Sequence, residues 1–212
     1  MPTLLLIHGG LWEDIGADWF WRRPGVVAGL ERLGFTVVAP DRPRRPPSWT
    51  ADADHVRAAV AAVATGDDEP LTVVAGSFGC SVAVRLALGS PDLVARIVLA
   101  WPAALSDQFT AIRFRAGLAR LGAPARVLDA LLGTGTLPGA TDGELGALSV
   151  PVGVIPAVPP DPSHSRGTVD ALLRLLPSAV DLPGCPEAPR PEFPPHLESF
   201  LASVAGFANS PA

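Results

Sequence analysis

The chain has 212 residues, 48% hydrophobic and 17% charged, with a formal net charge of −5. That length favours one domain, spanning 1–212, able to bury a core without disulfides or metals, and the composition excludes disorder. The acidic balance, with no basic run longer than Arg44-Arg45, argues against nucleic-acid binding, although the cluster of Arg42, Arg44 and Arg45 leaves room for an acidic partner.

Thr3 to Ile7 reads as a continuous apolar strand, ending in His8-Gly9-Gly10. Trp19 to Leu33 reads as a helix closed by Gly34, and Thr36 to Ala39 as a second strand stopped by Pro40. Val56, Val60 and Val63 recur at helical spacing within a helix from Asp52 to Ala64, with Thr50 as the expected N-cap. A third strand, Leu71 to Ala75, leads directly into a helix from Phe78 to Leu88, and Arg96 to Ala100 forms a fourth strand. From Trp101 to Ser149 the pattern predicts two or three helices with glycine breaks and no strand. Val150 to Ile155 is a fifth strand, Thr168 to Leu176 a helix, Ala179 to Leu182 a short sixth strand, and Pro195 to Phe207 a closing helix. Strands apolar on both sides need cover on both faces, and their alternation with helices implies right-handed crossovers. The expectation is an α/β fold: a doubly wound, mostly parallel sheet of about six strands, with functional residues at the strands' carboxyl ends.

Cys80 and Cys185 allow at most one bridge and suggest a reducing compartment. The start of the chain has no basic segment or cleavage site, and no stretch approaches the roughly 18 apolar residues of a membrane span. A soluble, cytoplasmic protein without a membrane partner is expected. The 24 prolines cluster at 40–47, 156–162 and 183–195, where a fixed φ stiffens loops.

Ser77 stands in Ala75-Gly76-Ser77-Phe78-Gly79, directly between a strand and a helix. So tight a turn forces strained backbone angles at its apex, and the small residues two before and two after prevent clashes. The serine hydroxyl is thereby exposed beside a helix N-terminus, where the Phe78 amide can donate to a developing oxyanion. A plain polar residue beside a glycine turn is the alternative. The His8-Gly9-Gly10 turn offers a second oxyanion donor, from Gly10 or Leu11, or else simply ends a strand.

With these features the chain resembles the α/β-hydrolase family over nearly its whole length. Val38-Ala39-Pro40-Asp41 is similar to the end of that family's second strand. The two N-terminal antiparallel strands of the family are missing, so the resemblance is to a trimmed member, with strands ordered second, first, third, fourth, fifth, sixth. The resemblance implies a cofactor-free enzyme acting on an ester, thioester or amide; some members are lyases, acyltransferases, peroxidases or binders. It also implies the chain order nucleophile, acid, histidine. Asp161, in Pro159-Pro160-Asp161-Pro162-Ser163-His164, follows the matching strand and is the expected acid, with Asp107 as runner-up; an ordinary turn aspartate is the alternative.

Where similar proteins carry Gly-His after the last strand, this chain reads Gly184-Cys185. His196 is the histidine in the right order and region. In the first turn of the last helix it would be held neutral, ready to accept a proton. His164 is the rival base, each alternatively a surface or loop histidine. His55 precedes the serine and is set aside. Cys80 and Cys185 read as small buried apolar residues, and four scattered histidines offer no metal spacing. Trp12 and Trp101 are the pocket candidates, whereas Trp19-Phe20-Trp21 fits core packing equally well. The stretch 102–148 would be a small helical cap, with Phe109, Ile112, Phe114 and Leu118 at near-helical spacing. The resulting expectation is a serine hydrolase of a carboxylic ester or thioester with an apolar or aromatic acyl group, its base His196, its acid Asp161 and its oxyanion donors Gly10 and Phe78. The displaced histidine leaves a second expectation: a non-hydrolytic protein on the same scaffold, either a binding module or a lyase or acyltransferase.

Overall fold

Every strand of the central sheet sends alternate residues to opposite faces, and both faces are apolar. In the computed structural model, which describes residues 2–63, 70–105, 108–133 and 135–210, six parallel strands are ordered β2-β1-β3-β4-β5-β6. They are β1 (Thr3–Ile7), β2 (Thr36–Val38), β3 (Leu71–Gly76), β4 (Val94–Ala100), β5 (Val152–Ile155) and β6 (Ala179–Asp181). This is the doubly wound order expected, and the physical cause is the burial of both faces.

Leu4, Leu6, Val74, Val98 and Ala100 point to one layer, built with α1 (Val26–Arg32) and α8 (Leu197–Ala208). Leu5, Ile7, Val73, Ala75, Ile97 and Leu99 point to the other, with α2 (Trp49–Val63), α3 (Gly79–Gly89) and α7 (Arg166–Leu175). Three helices, α4 (Gln108–Arg120), α5 (Ala125–Leu131) and α6 (Asp142–Gly146), connect β4 to β5 and extend that second layer through Leu118, Leu128, Leu131 and Leu145. Among the described residues no helix is long and apolar enough to cross a membrane. Asp107 lies outside the described residues.

Two local expectations are corrected. The helix expected from Trp19 to Leu33 is broken at Pro24-Gly25 into a π-helical turn, Asp18–Arg22, and α1. The hydroxyl at the start of α2 belongs to Ser48, which accepts from the Ala51 amide at 3.2 Å, and not to Thr50.

One aromatic cluster decides where the tryptophans go. Trp101 stacks on Trp21 and Phe200, with Phe20 and Phe193 at its edges, and its Nε1 donates to the Cys185 carbonyl at 2.9 Å. Trp101 is fully buried in this core, so it lines no pocket.

The second layer also holds a buried ion pair that reaches the end of β1. Arg42 lies against Asp52 of α2, both side chains almost wholly out of solvent, with contacts of 2.7 and 3.2 Å. A buried guanidinium is tolerable because each of its three nitrogens is engaged: Nη1 donates to the carbonyls of His8, Gly9 and Gly10 at 2.8, 3.1 and 3.0 Å. The Arg42 amide in turn donates to His8 Nε2 at 2.9 Å. The rest of the basic cluster is also satisfied within the chain, Arg44 by Asp14 and Arg45 over the Trp12 ring.

Burial and the neighbouring Arg42 charge hold His8 down at about 4, so the ring is neutral at pH 7. Because the unfolded histidine titrates near 6.5, the unfolded state binds more protons between pH 6.5 and 4. Stability therefore falls through that window as the pH is lowered, by up to about 3 kcal/mol from this residue. Urea unfolding of the wild type against His8→Asn checks it: the variant should lose that part of the slope. At Gly79, an added Cβ would sit 2.6 Å from the Ile7 carbonyl and 2.7 Å from that of His8, both backbone atoms. Gly79→Ala is expected to destabilise the fold by about 1–3 kcal/mol in the same measurement.

Candidate active site

β3 passes into α3 through Ser77, whose φ is +52°. Its amide donates to the Ala100 carbonyl at the end of β4 at 2.9 Å, which ties the apex to the neighbouring strand. The first turn of α3 lies against the end of β1 at Gly79. Ser77 thus occupies the strained strand-to-helix turn that its sequence context predicts, at the carboxyl edge of the sheet.

The histidine that reaches Ser77 is His164, not His196. His164 Nε2 lies 2.9 Å from Ser77 Oγ. His196 is exposed at the N-cap of α8, where only its backbone bonds the preceding turn, to Phe193 O at 2.7 Å. The expectation for His196 followed chain order along the last helix, but the loop after β5 folds its own histidine onto the serine. His55 is exposed on α2 with Nε2 3.2 Å from the Asp41 carbonyl.

Asp161 and His164 share one turn of that loop. Asp161 Oδ1 accepts from the amides of Ser163 and His164 at 2.8 and 3.0 Å, and the His164 ring lies with Nδ1 3.1 and 3.2 Å from the two carboxylate oxygens. This assigns the proton to Nδ1 and leaves Nε2 as the acceptor of the serine proton. Partial burial works to raise the Asp161 carboxyl, but the charge and hydrogen bond of His164, with the two amides, outweigh it and hold it below its ordinary value. The Ser163 carbonyl is fixed by the Ala104 amide at 2.9 Å, so the loop is anchored beside β4.

The loop after β6, where similar proteins carry a histidine, supplies other groups. Cys185 is buried; burial pushes its thiol up to about 11, which keeps it protonated and unreactive at pH 7. Cys80, packed in α3, is raised further by burial. Two residues beyond Cys185, Glu187 Oε1 lies 3.4 Å from His164 Nε2. Arg190 bridges the carboxylates of Glu187 and Asp161, the former at 3.1 Å. Each ring nitrogen therefore has a carboxylate beside it, Nε2 in addition to the Ser77 hydroxyl, and one guanidinium is shared between the two acids. Asp161, His164 and Glu187 each present one potential metal ligand within 4.8 Å of the others; Glu187 joins the Asp161-His164 turn only in the fold, and Arg190 already provides a cation between the two carboxylates. Neither Glu187 nor Arg190 was expected; the signal was the loop itself, immediately after Cys185.

The pocket at Ser77, about 380 Å³, is lined by Gly10, Trp19, Phe20, Phe78 and Phe114 with His164, Glu187 and Arg190. A second cavity of about 680 Å³ shares Glu13, Phe114 and Ser163 with it and runs beneath α4 along Leu11, Leu118 and Leu121. The aromatic wall therefore comes from Trp19 with Phe20, Phe78 and Phe114, and its one tryptophan is among the residues that the sequence placed in the core as readily as in a pocket. Trp12 lies on a separate small cleft, its Nε1 donating to the Pro46 carbonyl at 3.1 Å. At the rim, partial burial raises the Glu13 carboxyl, the Leu11 backbone lowers it and the Glu187 charge raises it further, leaving it above its ordinary value. Gly10 has φ +84° and lines the pocket, as does Phe78, so both residues expected to supply oxyanion donors border the space at Ser77.

The fold is shared with solved structures of low sequence identity. BpoC of Mycobacterium tuberculosis H37Rv, which carries the name of a non-heme bromoperoxidase, is 14% identical with a TM-score of 0.75 over 99% of this chain and 94% of its own. The meta-cleavage product hydrolase CumD of Pseudomonas fluorescens IP01 is 18% identical, TM-score 0.69, over 99% and 92%. A thioesterase domain from the curacin biosynthetic pathway is 15% identical, TM-score 0.67, over 97% and 91%. At these identities the likeness is one of fold. No curated protein matches the sequence. The family model described as "alpha/beta hydrolase fold" matches residues 2–121, more than half of the chain. With the parallel six-stranded sheet and the strand-turn-helix at Ser77, that match places the chain in the α/β-hydrolase fold family.

Proposed function

We propose that the protein is a serine hydrolase that cleaves a carboxylic ester or thioester through an acyl-enzyme on Ser77. The observation that carries this reading is the 2.9 Å contact between Ser77 Oγ and His164 Nε2, backed by Asp161 on the far side of the ring. In the acylation step the serine oxygen bonds to the substrate carbonyl carbon while its proton passes to His164 Nε2. Asp161 holds the tautomer and stabilises the imidazolium. The amides of Gly10 and Phe78 receive the charge on the carbonyl oxygen. Collapse breaks the bond to the leaving alcohol or thiol, which takes the proton from Nε2. A water then enters by the same route in reverse: it gives a proton to His164, attacks the acyl carbon and releases the acid from Ser77.

Glu187 faces the same nitrogen. When Nε2 is unprotonated the two groups are both acceptors, and when it carries a proton the carboxylate attracts it. The apolar and aromatic walls of the Ser77 pocket, and the adjoining cavity under α4, fit an apolar or aromatic acyl group. The segment 102–148, which carries α4, acts in this reading as a small cap. The chief argument for a non-hydrolytic protein was the missing histidine after the last strand; His164, supplied from another loop, removes its premise.

A fluorophosphonate probe should label the wild type and leave Ser77→Ala unlabelled; equal labelling of both overturns the reading. On p-nitrophenyl esters, His164→Ala is expected to lose roughly 10³- to 10⁴-fold in kcat. His196→Ala should stay within twofold of the wild type, and the reverse pattern would return the base to the last helix.

A further inference from the structure

We propose that Arg42 is a positioning residue of the oxyanion site, setting the direction of the Gly10 amide from behind. The inference rests on the serine-hydrolase reading above. Its basis is the planarity of the peptide unit. In a trans peptide the N–H points opposite to the C=O of the same plane, so fixing one fixes the other. The carbonyl of Gly9 belongs to the same plane as the Gly10 amide, that of His8 to the Gly9 amide, and that of Gly10 to the Leu11 amide.

Arg42 Nη1 collects all three carbonyls at 2.8–3.1 Å. The three amides are thereby turned away from the guanidinium. Gly10 lies on the wall of the Ser77 pocket, and the Gly9 Cα is packed against Ser77, where an added Cβ would come 2.9 Å from that of the serine. The His8 ring adds a second hold on the same peptide: with Nε2 accepting from the Arg42 amide, Nδ1 donates to the Gly9 carbonyl at 2.8 Å. Gly10, at φ +84°, belongs to a turn with freedom to rotate, and without this anchor its peptide planes would be the softest part of the site.

The device works through orientation and polarisation. A donor bonded to the Gly9 carbonyl draws electron density along the peptide and strengthens the Gly10 N–H as a donor. Asp52, with no solvent exposure, holds the guanidinium by its other edge and cancels its charge, so the clamp is rigid and costs no unpaired buried ion. Of the residues in this turn, Gly10 lines the Ser77 pocket and Leu11 does not, which makes Gly10 the donor on this side. Arg42 touches no substrate in this account; it acts through the backbone that does.

The test uses the whole chain and compares wild type with Arg42→Ala, Arg42→Lys and Asp52→Asn. The folded fraction is measured by circular dichroism, and activity is expressed per folded molecule. For folded Arg42→Ala, kcat on a p-nitrophenyl ester should fall about 30- to 1,000-fold with KM within threefold, the scale of losing one oxyanion donor. Affinity for an alkylboronic acid, which forms a tetrahedral adduct on serine, should fall in parallel, whereas that for the carboxylic acid product should not. Added ethylguanidinium should restore part of the kcat of Arg42→Ala and leave the wild type unchanged. Arg42→Lys, which cannot span three carbonyls, and Asp52→Asn, which keeps the guanidinium but frees its other edge, should each lose about tenfold and carry the test where Arg42→Ala does not fold. Folded variants whose kcat and boronate affinity stay within twofold of the wild type overturn the proposal, since a merely structural pair would lower stability alone. A wild type that neither reacts with fluorophosphonate nor turns over esters removes the hydrolase reading and this one with it; a reactive wild type with unaffected variants removes only this one.

Discussion

Ser77 sits at φ +52°, a backbone conformation that a residue with a β-carbon avoids, and everything chemical about the site depends on its being kept there. Three constraints hold it. Its amide is bonded to the end of β4. The helix that follows begins so close to β1 that Gly79 cannot carry a side chain without meeting the carbonyls of Ile7 and His8. The Gly9 backbone closes over the serine from the β1 side. The strain is local, and the buried packing of three adjacent strands supplies the energy that maintains it.

The carboxyl edge of the sheet then assembles a site from four loops. The loop after β1 brings the Gly9-Gly10 backbone, whose carbonyls Arg42 of the loop after β2 bonds, and the turn after β3 brings Ser77. The loops after β5 and β6 bring side chains. Asp161 and His164, three residues apart in a turn bounded by prolines, form a self-contained acid–histidine pair whose geometry is set by the aspartate capping its own loop. Glu187 and Arg190 close that pair from the other side. Cations offset the acids in both clusters: the buried Arg42 with Asp52, and the exposed Arg190 shared between the partly buried Asp161 and Glu187. This is what allows ionic side chains to crowd around an imidazole in a chain with few charges.

The aromatic residues show how packing redistributes roles that composition leaves open. Trp101, at the end of β4, points into the layer with α8 and becomes the centre of a stacked cluster. Trp19, two positions before Trp21 in the same π-helical turn, is left on the outside, where it borders the Ser77 pocket. Neighbours in sequence thus divide between core and site because one turn of helix has an inner and an outer face.

The local sequence determined the elements and their order. Alternating apolar strands and amphipathic helices fix a parallel sheet covered on both faces, and the small residues around Ser77 identify the turn without any knowledge of distant partners. The Pro24-Gly25 break was equally legible as a turn signal, though the apolar pattern running across it suggested one helix. The choice among histidines was not legible, because it depends on which loop folds back over the strand ends. His196 had the expected place in the chain and His164 the expected place in space. Glu187 and Arg190 meet the Asp161-His164 turn only when β5 and β6 lie side by side, and the Arg42 clamp forms only when α2 brings Asp52 to the loop after β2. Periodicity and turn chemistry act over a few residues and can be read along the chain; distances between side chains on separate loops are set by tertiary packing, and that decided which histidine meets Ser77.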